Sequence, residues 1–377
     1  MKSIFKLIMF FICVISNAYS ISYSVHDLGL GSYESSNPCK INHAGTIVGK
    51  FKERDESHTD SYTDFMWTSE KGLILLNPKQ ATEKQNPFLN ENNQVIGLYW
   101  KQYNGWFHKY QDQNLYTYSI DNGFIDISPP SSWEREQIGI FYTPWAADYN
   151  THFAWKTKSL NLLGYTDKEE LLVKQNGQYG IWQYGTFTNM TFNDQDTPMS
   201  MDSWGRIFIL RTIDTKQSIG GYVYMEDLSS DPFVFNYFED HPEDALENAS
   251  RAASMIFKIL KQGKVLGAVV GVSQDKSVQG GYIWTPEEGY TLLKNFIPLT
   301  GNDNGQMIGF GLFEKDCSSE CAFWENGQMH KLEDLISDKE ENKLTTILNL
   351  VDMNDKGQII IQARGADGDH AYLLNPN

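Results

Sequence analysis

Apolar residues in this chain come in short runs rich in β-branched and aromatic side chains, bounded by Gly, Asn and Asp. Runs of that length and composition read as strands. A polar turn followed by an apolar run with Gly recurs: "INHAGTIVGKF" from Ile41, "LNENNQVIGLYW" from Leu89, "GNDNGQMIGFGL" from Gly301 and "MNDKGQIIIQA" from Met353. Weaker copies start at Trp133, Met201 and Leu260. An aromatic run follows each after a variable gap, as in "DFMWT", "GYIWTP" and "CAFWENG", and then a turn and a last apolar run such as "KGLILLN". A further unit around "EELLVKQNGQYGIW" brings the spacing to about 45 residues, the length of a four-stranded propeller blade. Within a unit, strand a ends at the polar turn, strand b follows it, strand c is the aromatic run and strand d comes last.

The stretches "DLGLGSYESSNPCKINHAGTIVG", "DFMWTSEKGLILL" and "MNDKGQIIIQARGADGDHAYLLNP" resemble the HAF-type extracellular repeats of bacterial secreted proteins. That family's pattern runs Asp-Leu-Gly, then Ile-Asn-x-x-Gly-x-x-x-Gly, then an Ala-Phe-Leu-Trp run. Units two to five depart from it, most between residues 160 and 200. The resemblance implies a propeller-like repeat protein and carries over no catalytic residue.

The expected fold is all-β, a single β-propeller of seven or eight four-stranded blades over residues 21–377. The chain ends on a c-type strand, "DHAYLLNP", and "YSVHDLG" near its start has the form of strand d. Pairing Tyr23–Leu28 with His370–Asn375 removes both exposed edges and closes the ring. A solenoid, or two separate β domains, is the alternative. One segment breaks the strand pattern. In residues 238–255, Pro242 suits a first helical turn, and Ala245, Leu246, Ala249, Ala253 and Ile256 recur at helical spacing. A short helix from Pro242 to Ala253 is expected there.

Composition adds an address. Residues 1–20 carry Lys2 and Lys6, an apolar run and a small-x-small end at Ser20, the form of a cleavable export signal. The apolar run falls short of the ~20 residues that span a bilayer. A secreted or periplasmic protein follows, without membrane insertion once the signal is removed. The remaining chain has 29 basic residues against 48 acidic ones, a net charge near −19. That charge repels phosphate backbones, so nucleic acid is excluded as a partner. Three cysteines remain after the signal; Cys317 and Cys321 are close enough for a local disulfide, and Cys39 reads as a small buried residue.

No H-E-x-x-H, P-loop, G-x-S-x-G or dinucleotide fingerprint is present. No catalytic residue, cofactor or metal ligand is therefore assigned, and the Asn and Asp of the polar turns read as turn formers. Loops b–c and d–a share one end of a propeller and vary here in length and sequence, as binding loops do. Trp145, Tyr149, Asp240, His241 and Asp244 are the candidate binding residues at that end. The function expected is a monomeric, non-enzymatic module binding a protein or glycan. The alternative is a carboxylate-based glycoside hydrolase or polysaccharide lyase, with two acids facing the channel.

Overall fold

The computed structural model describes residues 21–29, 33–54, 60–77, 86–104, 109–126, 160–175, 178–183, 186–213, 217–225, 233–240, 251–261, 263–272, 277–313, 319–366 and 368–377. Among them, 28 strands fall into seven antiparallel groups of four. The first group is β2 (Ser35–Ile41), β3 (Ile47–Arg54), β4 (Asp60–Thr68) and β5 (Gly72–Asn77). The second is β6 (Phe88–Leu89), β7 (Val95–Asn104), β8 (Lys109–Ser119) and β9 (Gly123–Asp126). The third is β10 (Leu160–Tyr165), β11 (Leu171–Gln175), β12 (Gln178–Gln183) and β13 (Thr186–Met190). The fourth is β14 (Asp196–Met201), β15 (Arg206–Thr212), β16 (Gln217–Tyr224) and β17 (Phe233–Phe235). The fifth is β18 (Arg251–Ile259), β19 (Val265–Val272), β20 (Ser277–Thr285) and β21 (Gly289–Leu293). The sixth is β22 (Phe296–Gly301), β23 (Met307–Leu312), β24 (Ser319–Glu325) and β25 (Gln328–Lys331). The last is β26 (Thr346–Met353), β27 (Ile359–Arg364) and β28 (Asp369–Pro376), with β1 (Tyr23–Asp27) as its fourth strand.

Each group buries both faces against its neighbours. The run Ile359-Ile360-Ile361 shows how. Ile359 and Ile361 join a cluster with Ile308 and Phe323 of the sixth group, while Ile360 packs with Ile41, Ile47 and Phe65 of the first. Alternate side chains of a strand point to opposite faces, so a strand buried on both reads as a continuous apolar run. The same happens between groups one and two, where Val48 and Met66 meet Val95 and Tyr116. Ile96 and Leu115 then meet Leu171 and Val173, and Leu172 meets Ile207 and Val223. Phe235 meets Val265 and Tyr282, and Leu266 meets Phe296 and Met307. The apolar clusters thus follow one another from group to group and return to the first.

The Gly-x-x-x-Gly of the repeat has two separate causes. At the turn, Gly45, Gly205, Gly263, Gly305 and Gly357 have φ between +76° and +92°, with Asn93 and Glu169 in the equivalent places at +59° and +63°. L side chains adopt that region at a cost that Gly escapes and Asn bears best. Four residues on, the strand glycine makes room. A Cβ at Gly49 meets the Phe65 ring at 2.6 Å, and one at Gly97 meets the Tyr116 ring at 2.5 Å. The aromatic of strand c lies across strand b at the glycine.

The polar turns also join the groups to one another. Asn42 Oδ1 accepts Thr46 N–H within its own turn at 3.0 Å, while its Nδ2 donates across to Asn90 O at 3.0 Å. Asn90 Nδ2 donates to Thr166 O at 3.3 Å, and Asp167 N to Ser203 O at 3.0 Å. Arg206 Nη2 donates to Ile259 O at 2.8 Å, and Lys261 N to Asp303 Oδ1 at 2.9 Å. Asn302 Nδ2 donates to Asn354 O at 3.1 Å, and Asn354 Nδ2 to Asn42 O at 3.0 Å. Each turn holds the next, and the last holds the first.

The expected terminal pairing is present with its register resolved. β1 lies antiparallel to β28, with Tyr23 opposite Pro376 and Asp27 opposite Tyr372. The helical expectation for 238–255 needs correction at its C-terminal end. Residues 251–255 belong to β18, where Ala253 pairs with Val270, so the helix cannot run to Ala253. Small residues at helical spacing had suggested a stripe; their backbone is instead taken by the β19 ladder. One helical turn, Tyr237–Asp240, opens the segment, and 241–250 lie outside the described residues. The weak repeat at Trp133 and the signal segment 1–20 lie outside them too.

Tyr23 is fully buried and meets Phe323 edge-on at 5.8 Å. Tyr23→Ala removes a large core side chain from the strand that joins the two ends of the chain. Chemical denaturation should show a loss of about 3 kcal/mol or more. A loss under about 1 kcal/mol, within the range of surface substitutions and mild core trimming, would mean β1 is dispensable.

Candidate functional site

The first strands of all seven groups surround one cavity of about 620 Å³. Its most polar layer is set by a repeated irregularity. In β2, β18, β22 and β26 the register slips by one residue two or three places before the turn, leaving Cys39, Phe257, Leu299 and Val351 unpaired. β10 and β14 slip at the same place. A bulge bends its strand and re-aims the side chains beside it. The residue after each bulge stands two before the turn position: Lys40, Ser200, Lys258, Thr300 and Asp352 there line the cavity, with Phe88 at the matching place in β6. In β10 the position is Gly164, where a Cβ would strike Met201 O at 2.3 Å.

Charge gathers on one arc of this layer. Asp352 Oδ2 lies 3.0 Å from Lys40 Nζ, and Asp352 Oδ1 lies 3.6 Å from Lys258 Nζ. Lys258 Nζ donates to Thr300 Oγ1 at 2.9 Å, and the Thr300 hydroxyl donates to Asp352 Oδ1 at 3.2 Å. Burial alone pushes the Asp352 carboxyl up, but the ammonium groups of Lys40 and Lys258 outweigh it and hold the carboxyl below its ordinary value. Asp352 in turn raises Lys40 against the pull of burial. Burial wins at Lys258, whose ammonium is lowered despite the same carboxylate. The opposite arc carries Phe88, Tyr165 and Phe208.

The rim above is acidic, and its acids are engaged. Glu91 accepts His43 N–H at 2.8 Å, Asp303 accepts Lys261 N–H at 2.9 Å, and Asp355 accepts Asp303 N–H at 3.1 Å and Lys261 Nζ at 2.9 Å. Asp202 accepts the N–H groups of Trp204 and Arg206 and the Arg206 Nε at 2.6 Å. Backbone N–H and Lys261 hold the Asp355 carboxyl down against burial. Trp204 stands 44% exposed at the rim, with the Arg206 guanidinium 4.6 Å from its ring centre. Among the described residues, no group of three or more His, Cys, Asp or Glu is placed to hold a metal ion.

Of the residues singled out in the sequence, Trp145, Tyr149, His241 and Asp244 lie outside the described residues, as does Cys317. Asp240 ends the helical turn Tyr237–Asp240. Cys321 lies on β24, the burial of its thiol pushing the pKa up to about 11, and its expected disulfide with Cys317 falls outside the described residues. Cys39 is the bulged residue of β2 and lines the cavity. Sequence reasoning missed Lys40, Lys258, Thr300 and Asp352. Their common signal is position: each stands two residues before the polar turn's first residue.

No family model matches the chain, and no curated protein matches it. Solved structures do. The β-propeller domain of the Trilobed protease from Pyrococcus furiosus is similar at 8% identity and a TM-score of 0.37, over 81% of this chain and 97% of that one. The polysaccharide lyase Uly1 is similar at 8% identity and a TM-score of 0.48, over 93% of this chain and 91% of that one. Acylaminoacyl peptidase from Pyrococcus horikoshii is similar at 10% identity and a TM-score of 0.38, and this chain spans 58% of its length. Likeness this distant does not extend to activity.

Asp352→Asn tests the charged layer. It leaves two ammonium groups without their carboxylate and should lower stability at pH 7 by about 2 kcal/mol, less than the roughly 3–5 kcal/mol of a fully enclosed pair because Lys40 is half-exposed. The Asp352 carboxyl is depressed in the folded chain, so its stabilisation is present above the unfolded value of about 3.9 and lost as pH falls through the folded one. Thermal midpoints recorded from pH 7 to pH 2 should therefore converge for the two proteins in acid. A gap that stays constant with pH would remove the ion pair as its cause.

Proposed function

We propose that this chain is a single seven-bladed propeller, closed by β1 beside β28, that binds a glycan or protein partner without converting it. It is exported with cleavage after Ser20 and works as a monomer. The seat that the geometry supports best is the channel at the end formed by the polar turns. The variable b–c loops, where the sequence places binding, lie largely outside the described residues.

One observation carries the non-enzymatic reading. Among the described residues, the five carboxylates that line the cavity, Glu91, Asp202, Asp303, Asp352 and Asp355, already accept hydrogen bonds or ion pairs from the chain itself. A glycosidic acid must hold a proton near neutrality, which needs a raised pKa. Asp352 and Asp355 are shifted the other way. The deepest carboxylate is held ionised by two lysines, which suits a structural counter-ion. A rigid ring with a polar, partly aromatic cavity suits reversible binding.

The test is retention without turnover. The purified chain, applied to a microarray of acidic and neutral oligosaccharides, should be retained on a subset of them. Mass spectrometry of the same oligosaccharides after prolonged incubation should show no new species. Cleavage products that vanish with Asp352→Asn would overturn the reading in favour of a carboxylate-based hydrolase or lyase.

A further inference from the structure

We propose that the Lys40–Lys258 arc of the channel is an anion seat, which takes one carboxylate or sulfate group carried on a small ring. This rests on the reading that the channel is where the chain binds. The bulges bring two ammonium groups and one carboxylate into a single layer, so that layer has one positive charge in excess. The chain as a whole has a net charge of −17, which makes a local positive excess inside it a specific placement. Asp352 takes one N–H of Lys40 at 3.0 Å, and the side chain remains 44% exposed to the cavity. Lys258 is committed to Thr300 Oγ1 and Met353 O at 2.9 and 3.4 Å, and is 27% exposed.

An ammonium enclosed by protein loses hydration that a single shared carboxylate does not fully replace. A second anion supplies the missing charge through short, charge-assisted hydrogen bonds. Glu91, Asp303 and Asp355 take their hydrogen bonds from backbone N–H groups and Lys261 one layer above, not from Lys40 or Lys258, although the charges of Glu91 and Asp202 still act on Lys40 and that of Asp355 on Lys258. Ser200 adds an exposed hydroxyl across the cavity. Phe88 and Tyr165 give the opposite wall an apolar surface for the ring that carries the anion. The cavity of about 620 Å³ has room for one or two sugar rings, within the roughly 300–1,000 Å³ of small-molecule sites.

Isothermal titration of the purified chain in low-chloride buffer tests this with sodium glucuronate, sodium sulfate and glucose as probes. Heat should appear with glucuronate or sulfate and not with glucose. Lys40→Met should weaken the anion about tenfold, the loss of one charge-assisted contact, while Lys40→Arg stays within about threefold. Lys294→Met, exposed between the fifth and sixth groups, should leave it unchanged. Lys258→Met should weaken it as well. If that variant does not fold, Lys40→Met alone decides, since Lys40 is half-exposed and Asp352 keeps Lys258. Equal binding of glucose, no anion-dependent heat, or full affinity in a Lys40→Met chain with native circular dichroism would overturn the seat. Retention of neutral glycans that is indifferent to Lys40→Met overturns the seat and spares the binding reading. Cleavage products do the reverse.

Discussion

The asparagine that heads four of the seven polar turns does two things at once, and the rest of the ring depends on it. Asn42, Asn90, Asn302 and Asn354 are all 5% exposed or less. Each uses its oxygen to close its own turn and its amide to satisfy a carbonyl of the next. A buried carbonyl left without a donor costs about 1–3 kcal/mol. The clamp therefore acts on both sides of every junction it spans. It also fixes where each first strand ends. With the ends fixed, a bulge at a constant distance before them brings one residue per strand to a common depth.

That common depth is where the chemistry collects. Lys40, Lys258, Thr300 and Asp352 come from four different groups and are far apart in sequence, yet their polar atoms lie within 2.9–3.6 Å of one another in sequence around the arc. Apolar packing between the groups supplies the rigidity, and the clamps supply the register. Neither has any need of charge in the channel. An ion cluster there adds little net stability, because desolvation of enclosed ions offsets much of their attraction.

Much of the fold was legible because the repeat encodes backbone requirements directly. Asn at the turn, Gly at its positive-φ position and Gly under the strand-c aromatic each answer a steric or hydrogen-bonding demand, and the first and last two units keep all of these or most of them. Units that depart from the motif meet the same demands by other means. Thr166 closes its turn with a hydroxyl to Glu170 N–H at 3.1 Å, and Glu169 takes the left-handed position. Leu260 has no amide to donate, and Arg206 with the Lys261 N–H makes its junctions. The charged layer was not legible for the same physical reason that it works. A bulge demands no single residue type, so the position after it is free to carry lysine, serine, threonine or aspartate. The one available hint was proline: Pro38, Pro198 and Pro298 each stand one place before the bulged residue, and proline within a strand marks a bulge or an edge. The helix expected to reach Ala253 failed because spacing among small residues carries little information beside a full ladder of strand hydrogen bonds.

A ring closed by turn-to-turn clamps has no free end from which to open, whereas an open array frays from its termini. Native-state hydrogen exchange separates the two. The amides of Thr46, Gln94, Arg206, Gln306 and Gln358 each donate to the side chain that heads their own turn. In a closed ring they should exchange only through global unfolding, with one shared free energy that equals the stability measured by denaturant. A graded series, with Thr46 and Gln358 exchanging far faster than Arg206, would contradict closure through the Asn354–Asn42 clamp.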